Sequence, residues 1–332
     1  MFRCKYRGCR LQVLLYKQGN SLPTVASAKV GNQYFCFMTI HGAYQQLLLQ
    51  LFEIYEDNEA HAIADWVMEH VTEWKRIDRI LNKSFPLSLQ KQEQLEKYTH
   101  ELLQHKPVQY VLGEVWFAGM KFYVNENVLI PRPETEELVE WIVKHEKLKS
   151  LQQPNGPDAS AARLSIIDIG TGSGCIPVAL KKKLPTADIT AIDISRDALS
   201  VAAENAAANK TTIEFKQFDF LAKQQWSQLG QFDIIVSNPP YVKKTEAKEM
   251  RKGVVDFEPS LALFVPDDDA LLFYKALVEF AATHLQPTGM LFMEINEALG
   301  NETVALFTGK GFTTVELKKD MQGKDRMVKA AR

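Results

Sequence analysis

The chain has 332 residues, 46% of them hydrophobic and 24% charged, a globular composition with length enough for two domains of ordinary size. Seventeen Gly and fourteen Pro exclude collagen-like and low-complexity readings, and no apolar run approaches the roughly 18–20 residues that cross a bilayer. The formal net charge of −2 argues against a protein held mainly by phosphate contacts.

Residues 1–37 stand apart. They carry six basic residues (Arg3, Lys5, Arg7, Arg10, Lys17, Lys29) and no Asp or Glu, leaving 33 basic against 41 acidic residues, net −8, in the remainder. No helical or strand periodicity runs through them. Leu11–Tyr16 is too short for the apolar region of a signal peptide and is interrupted by Gln12. The basic, acid-free composition suits a mitochondrial presequence, although Ser is sparse. Cys4, Cys9, Cys36 and His41 offer a Cys₃His set, but their spacings match no zinc-finger pattern, so no metal site is expected. The preferred reading is a disordered leader, or codons upstream of a true start at Met38. With one cysteine, Cys175, left in the body, the protein reads as reduced and intracellular. It is expected in the cytoplasm, with the mitochondrial matrix as the alternative.

From residue 44 an amphipathic stripe begins. Leu47, Leu48, Leu51, Phe52 and Tyr55 share one helical face, and Ala60, Ile63, Ala64, Val67, Met68 and Val71 repeat it after Glu56–Glu59. Further helices fit about 73–82 and 88–105, so 42–105 reads as a small helical bundle. Pro107 ends it. Residues 106–130 alternate and carry Gly113, Gly119 and Asn125, which predicts a β-hairpin connector. Pro133 then suits the first turn of a helix whose acids Glu134, Glu136 and Glu137 lie at its start and whose Lys144, Lys147 and Lys149 lie at its end. Residues 150–162 have linker chemistry.

The region 131–332 alternates strands and helices. Strands fit Leu164–Ile169, Asp188–Asp193, Thr212–Lys216, Phe232–Ser237, Gly289–Ile295, Thr313–Leu317 and Arg326–Ala330; helices fit about 175–183, 196–209, 268–285 and 298–309. That order predicts an α/β fold with a doubly wound, mostly parallel sheet, whose ligands bind at the carboxyl ends of the strands.

The first of these strands runs into Gly170-Thr171-Gly172-Ser173-Gly174. Glycines there let the backbone approach a ligand and take conformations that a Cβ forbids. A dinucleotide fingerprint needs Gly-x-Gly-x-x-Gly, and its third glycine would fall at Cys175. The spacing disfavours a pyrophosphate and suits the amino-acid end of S-adenosylmethionine. Asp193 follows nineteen residues after Gly174, where a carboxylate accepts from ribose hydroxyls or serves a helix start. Asp219 and Phe220 close the third strand, in position to hold an adenine.

Phe232–Ser237 stops at Asn238-Pro239-Pro240-Tyr241. The prolines remove two backbone donors and fix φ, and Asn238 is pushed into an extended conformation by the proline after it. The Asn238 side-chain oxygen and the Pro239 carbonyl form an acceptor pair beside the aromatic Tyr241, fitted to a planar –NH₂ group. Catalysis there is positioning, with hydrogen bonds that strengthen as the nitrogen gains positive charge. A plain strand-terminating turn is the bland alternative.

The glycine loop with Asn238–Tyr241 resembles class I S-adenosylmethionine-dependent methyltransferases acting on planar amino groups. The resemblance is closer to the HemK/PrmC family of peptide chain release factor N5-glutamine methyltransferases. It extends over about 42–332 through Pro107–Gly113, Leu129-Ile130-Pro131-Arg132-Pro133-Glu134-Thr135-Glu136, Phe257-Glu258-Pro259 and Lys324-Asp325-Arg326. It implies that Gly170, Thr171, Gly172, Ser173, Gly174, Asp193, Phe220 and Asn238 bind the cofactor. Asn238, Pro239, Pro240 and Tyr241 would hold the substrate glutamine, with Asn238, Pro239 and Tyr241 serving catalysis. Arg132 and Pro133 would lie near the cofactor, and Phe117 would help to enclose it. The helical domain would recognise a release factor. A ribosomal-protein glutamine methyltransferase and an adenine-N6 or guanine-N2 nucleic-acid methyltransferase are the alternatives. Base extrusion needs a basic channel, which a body of net −8 does not suggest. A monomer without membrane or nucleic-acid partners is expected.

Overall fold

The computed structural model describes residues 13–15, 25–30, 33–152 and 163–332. The chain divides into two compact units, with the boundary between Leu112 and Gly113. Among the described residues no helix is long and apolar enough to cross a membrane.

The first unit opens with β1 (Val13–Leu15), β2 (Val25–Val30) and β3 (Gln33–Met38), an antiparallel sheet in that order. This corrects the expectation of a leader without regular structure over those stretches. The β-branched and aromatic residues Val25, Val30, Tyr34, Phe35 and Phe37 are the local strand signal, too short to register as one period across the segment. Cys4 and Cys9 of the suggested metal set lie outside the described residues.

The helices follow as α1 (Ile40–Leu51), α2 (Asp57–Thr72), α3 (Arg76–Leu81), α4 (Leu89–Leu103) and α5 (Val108–Leu112). Thr39 caps α1 by accepting from the Gly42 amide at 3.0 Å, and Ser88 caps α4. The predicted stripe becomes the core: Leu47, Leu51, Ala60, Ala64, Val67 and Met68 pack with Leu95, Leu102, Val108 and Val111. Arg79 is the buried charge of this unit among the described residues, paired with Asp65 at 2.7 Å. Val108–Leu112 is helical, so the predicted hairpin contracts to β4 (Glu114–Phe117) and β5 (Met120–Tyr123), which belong to the second unit. Val108 and Val111, three apart, turn one apolar face into the helical core, and that burial outweighs their strand propensity.

In the second unit the long helix α6 (Pro133–Gln152) begins at the expected proline. The linker expected over 150–162 starts as the end of α6, and 153–162 lie outside the described residues. The alternation then continues through β6 (Ser165–Ile169), α7 (Cys175–Lys183), β7 (Asp188–Asp193), α8 (Arg196–Ala208), β8 (Glu214–Gln217) and β9 (Phe232–Ser237). Next come short elements that periodicity did not predict: β10 (Val242–Lys243), α9 (Lys252–Phe257), α10 (Ser260–Leu263) and β11 (Phe264–Val265). The chain finishes with α11 (Leu272–His284), β12 (Leu285–Glu294), α12 (Gly300–Thr308), β13 (Thr314–Lys319) and β14 (Asp325–Ala331).

The main sheet has seven strands in the order β13-β14-β12-β9-β6-β7-β8. From β12 to β8 neighbours are parallel, and β14 is antiparallel to both β12 and β13. The order reverses at β6: the chain moves outward to β7 and β8, then returns to β9 on the other side. Helices cover both faces, so the central strands are buried on two sides and read as apolar runs such as Ile166-Ile167 and Ile234-Ile235-Val236. The hairpin is fastened by Asn205 on α8, whose Oδ1 accepts from the Tyr123 amide at 2.7 Å while Nδ2 donates to the Tyr123 carbonyl at 2.9 Å.

Candidate active site

A cavity lies at the carboxyl ends of four neighbouring strands. Its wall is formed by Gly170–Ser173 after β6, Asp193 at the end of β7, Phe218–Phe220 after β8 and Asn238–Pro240 after β9. Asn127–Leu129, Pro131 and Arg132, from the segment before α6, complete it. The Ser237 hydroxyl donates to the Ile169 carbonyl at 2.7 Å, tying the ends of β6 and β9 together just before the glycine loop and Asn238 diverge. Two sequence signals 68 residues apart thus share one wall because the sheet reverses between their strands.

Gly170 and Gly172 have φ of +74° and +54°, with nothing within 4 Å of the place a Cβ would take, so the loop presents bare backbone to open space. Gly174 also has positive φ, but its Cβ would lie 3.0 Å from that of Ala202 on α8, and it is not at the cavity wall. Its smallness lets α7 and α8 approach. Asn205 steadies the loop as well, since its Nδ2 also donates to the Ser173 carbonyl at 2.9 Å.

Asp193 accepts from the Gly172 amide through Oδ2 and from the Ser195 amide through Oδ1, both at 2.9 Å. Burial raises its carboxyl above the ordinary range, and these backbone donors pull against the shift. Each carboxylate oxygen accepts about two hydrogen bonds, so both retain capacity for a ligand. Phe220 reaches the cavity from the core, stacked on Trp226 at a centroid distance of 5.4 Å and edge-on to Phe280 at 5.5 Å. Phe117, expected to help enclose the ligand, is instead core: it packs edge-on against Phe122 and is not on the cavity wall. Its place in the hairpin turns an apolar side chain inward, where burial stabilises it more than a solvent-lined wall would.

Asn238 lines the cavity, and its Nδ2 donates to Thr135 Oγ1 at 3.1 Å. Thr135, in the first turn of α6, donates in turn to Glu294 Oε2 at 2.8 Å. Tyr241 lies behind the wall, its hydroxyl donating to Glu294 Oε1 at 3.1 Å. Glu294 ends β12 and is buried, which raises its carboxyl above the usual range. Arg132 pairs with the buried Glu258 at 2.6 Å, and Glu258 also accepts from the Ile130 amide. That pair pins the segment before α6 to the Phe257-Glu258-Pro259 turn.

Asp168, the last but one residue of β6, is fully buried, and neither of its oxygens has a hydrogen-bond partner among the described residues. Burial pushes its carboxyl up to about 7, the nearby Thr171 hydroxyl pulls against that shift, and Asp193 adds to it. A buried carboxylate with at most the Thr171 hydroxyl to satisfy it, behind a glycine loop, is an arrangement that a cationic ligand compensates. Asp168, Thr135, Glu258, Glu294 and Asn205 carried no role in the sequence reading. Glu294 could have been found there, as an acid at the carboxyl end of a strand predicted to be apolar; Asn205 carried no signal, being one polar residue on a helix.

A doubly wound sheet with this loop, an acid after the second strand and Asn-Pro-Pro-Tyr after the fourth defines a class I S-adenosylmethionine-dependent methyltransferase. Residues 43–113 match the PrmC N-terminal domain family and residues 154–255 the methyltransferase small domain family. The release factor glutamine methyltransferase of Flavobacterium psychrophilum is 45% identical over 88% of this chain and 99% of its own. That of Bacteroides thetaiotaomicron is 40% identical over 87% and 98%, and a bifunctional methyltransferase of Rickettsia bellii is 34% identical over 71% and 45%. The chain belongs to the release factor glutamine methyltransferase family, and its cofactor is S-adenosylmethionine.

Proposed function

We propose that this enzyme transfers a methyl group from S-adenosylmethionine to the side-chain amide nitrogen of the glutamine in the Gly-Gly-Gln segment of peptide chain release factors. The observation that carries the reading is Asn238 on the same cavity wall as the glycine loop, its amide –NH₂ already engaged by Thr135. When bound, S-adenosylmethionine supplies a methyl carried on a positively charged sulfur. Gly170, Thr171, Gly172 and Ser173 receive its amino-acid end, with the Asp168 charge behind them and Gly174 as the packing residue that shapes the loop. Asp193 accepts from the ribose hydroxyls, and Phe220 borders the adenine.

Asn238 Oδ1 and the Pro239 carbonyl each accept one hydrogen of the substrate amide. Pro240 stiffens the turn, and Tyr241 supports it from behind. An amide nitrogen is a weak nucleophile because its lone pair is delocalised. Two fixed acceptors orient it, and their hydrogen bonds grow stronger as the nitrogen gains positive charge; the methyl–sulfur bond breaks as the methyl–nitrogen bond forms, and the nitrogen then gives up one hydrogen as a proton to solvent. The helical unit recognises the folded release factor, so a short free peptide reacts poorly. The enzyme acts as a monomer in the cytoplasm, without direct nucleic-acid binding.

Mass spectrometry of a bacterial release factor incubated with the enzyme and S-adenosylmethionine tests this. A single added methyl on the Gly-Gly-Gln glutamine is expected. Equal activity on naked DNA, or methylation elsewhere only, overturns it.

A further inference from the structure

Most hydrogen-bonding groups at the cavity have an evident task, but Thr135 and Glu294 have none in the transfer itself. Both are buried, at 2% and 1% exposure, and Glu294 is not on the cavity wall. A carboxylate in such a place is costly unless its oxygens are satisfied. Here they are satisfied by two hydroxyls, Thr135 on one oxygen and Tyr241 on the other.

The chain of donors has a direction. An ionised carboxylate only accepts, and a threonine hydroxyl has one proton to give. Once Thr135 donates to Glu294 Oε2, its remaining capacity toward Asn238 is as an acceptor. The Asn238 amide is therefore held with Nδ2 toward Thr135. Its Oδ1 is left as the free end. An asparagine amide turned by 180° would present –NH₂ instead, two donors facing the two hydrogens of a substrate amide. We infer that Thr135 and Glu294 are positioning residues, which fix the orientation of the Asn238 side chain so that its oxygen faces the substrate. The inference rests on the functional reading above and deepens it.

The same carboxylate anchors the other end of the turn. Tyr241 donates to Glu294 Oε1, and the Asn296 Nδ2 donates to the Tyr241 carbonyl at 3.3 Å. Burial raises the Glu294 carboxyl most, and the hydrogen bonds from Thr135 and Tyr241 and the positive charge of Arg326 on β14 pull against that shift, while Glu134 adds to it. One acidic side chain from β12 thus orients both ends of Asn238–Tyr241, which follow β9. The two strands are neighbours, so a single carboxylate spans the distance.

Steady-state kinetics on a folded release factor, with S-adenosylmethionine affinity measured by calorimetry, separates positioning from packing. Thr135→Val keeps the shape and removes the acceptor; kcat is expected to fall at least about tenfold, with KM for the release factor and cofactor affinity within about twofold of wild type. Thr135→Ser, which restores the hydroxyl, is expected to recover most of kcat. Glu294→Gln replaces an acceptor by a group that also donates, frees Thr135 to donate toward Asn238, and should lower kcat to a similar degree. Thr135→Val combined with Asn238→Ala should be no slower than Asn238→Ala alone, because residues acting through one group are not additive.

A Thr135→Val enzyme with wild-type kcat overturns the inference. So does a double variant whose loss is the product of the two single losses, or a Thr135→Ser variant as slow as Thr135→Val. A wild-type enzyme that leaves the glutamine unmodified overturns the functional reading instead, and takes the inference with it.

Discussion

In the helical unit the buried polar side chains among the described residues are three threonines and Arg79, and the threonine hydroxyls of Thr72 and Thr99 simply bond back to their own helices. In the catalytic unit four carboxylates are buried among the described residues: Asp168, Glu258, Glu294 and Asp320. Asp168 and Glu294 lie at the carboxyl ends of β6 and β12, and Glu258 pairs with Arg132 of the cavity wall. Burial of an acid is unfavourable for folding, so a fold that keeps several in one place is held there by something other than stability. The helical unit is an apolar core that also leaves large apolar side chains such as Trp66, Ile77, Leu81 and Leu89 exposed. The catalytic unit gives up stability to hold charge where the chemistry needs it.

That contrast can be broken most sharply at Asn238. Asn238→Ala should cut turnover by roughly 10²–10³ while leaving cofactor affinity within a few-fold, since it removes a hydrogen bond that matters most in the transition state. Undiminished turnover, measured with saturating release factor, would remove the acceptor from the account.

Asp168 tests whether buried charge is kept at a cost. Its carboxyl is raised to about 7 in the folded protein, well above the unfolded value, so the folded state holds a proton that the unfolded chain has lost between about pH 4 and pH 7. Stability without cofactor therefore falls as pH rises through that window, by at most about 4 kcal/mol. Asp168→Asn should melt higher than wild type at pH 8 without cofactor, with the advantage fading below pH 4, and should bind S-adenosylmethionine more weakly. A variant that melts lower at pH 8 would show that the charge is stabilising after all.

Asp193→Ala should weaken S-adenosylmethionine by about 1–3 kcal/mol, the usual loss for hydrogen bonds to a charged group. Calorimetry that instead finds NAD binding, and none of S-adenosylmethionine, would contradict the site. In the helical unit the expectation reverses. Arg79→Leu leaves Asp65 with Arg76 at 3.6 Å and should lower the melting temperature modestly, with cofactor affinity untouched. The smallest effect is expected for a chain beginning at Met38. The described helical core runs from Ile40 onward, so activity should persist; a large drop in melting temperature would give β1–β3 a structural task.

The sequence by itself determined the helical stripe of the first unit, the seven strands of the main sheet with their alternating helices, and the two segments that meet at the cavity. These are local signals: a period of 3.6 or 2, a run of β-branched residues bounded by turn formers, glycines and prolines where the backbone needs them. Where the local signal was short it misled, as at Val108–Leu112, whose pattern suits a strand and whose burial in the helical core makes a helix. The stretches β1–β3 were missed for the opposite reason, a real but brief strand signal set in a segment with no common period.

Only the tertiary structure decided which polar groups meet. Asn238 bonds to Thr135, 103 residues away, and Thr135 to Glu294, 159 residues away. Asn205 joins the hairpin to the glycine loop across 82 and 32 residues. Nothing at any one of these positions names its partner, because a hydrogen bond has no sequence period. It exists where strand order and helix packing bring two groups within 3 Å or so and burial removes the water that would otherwise serve both.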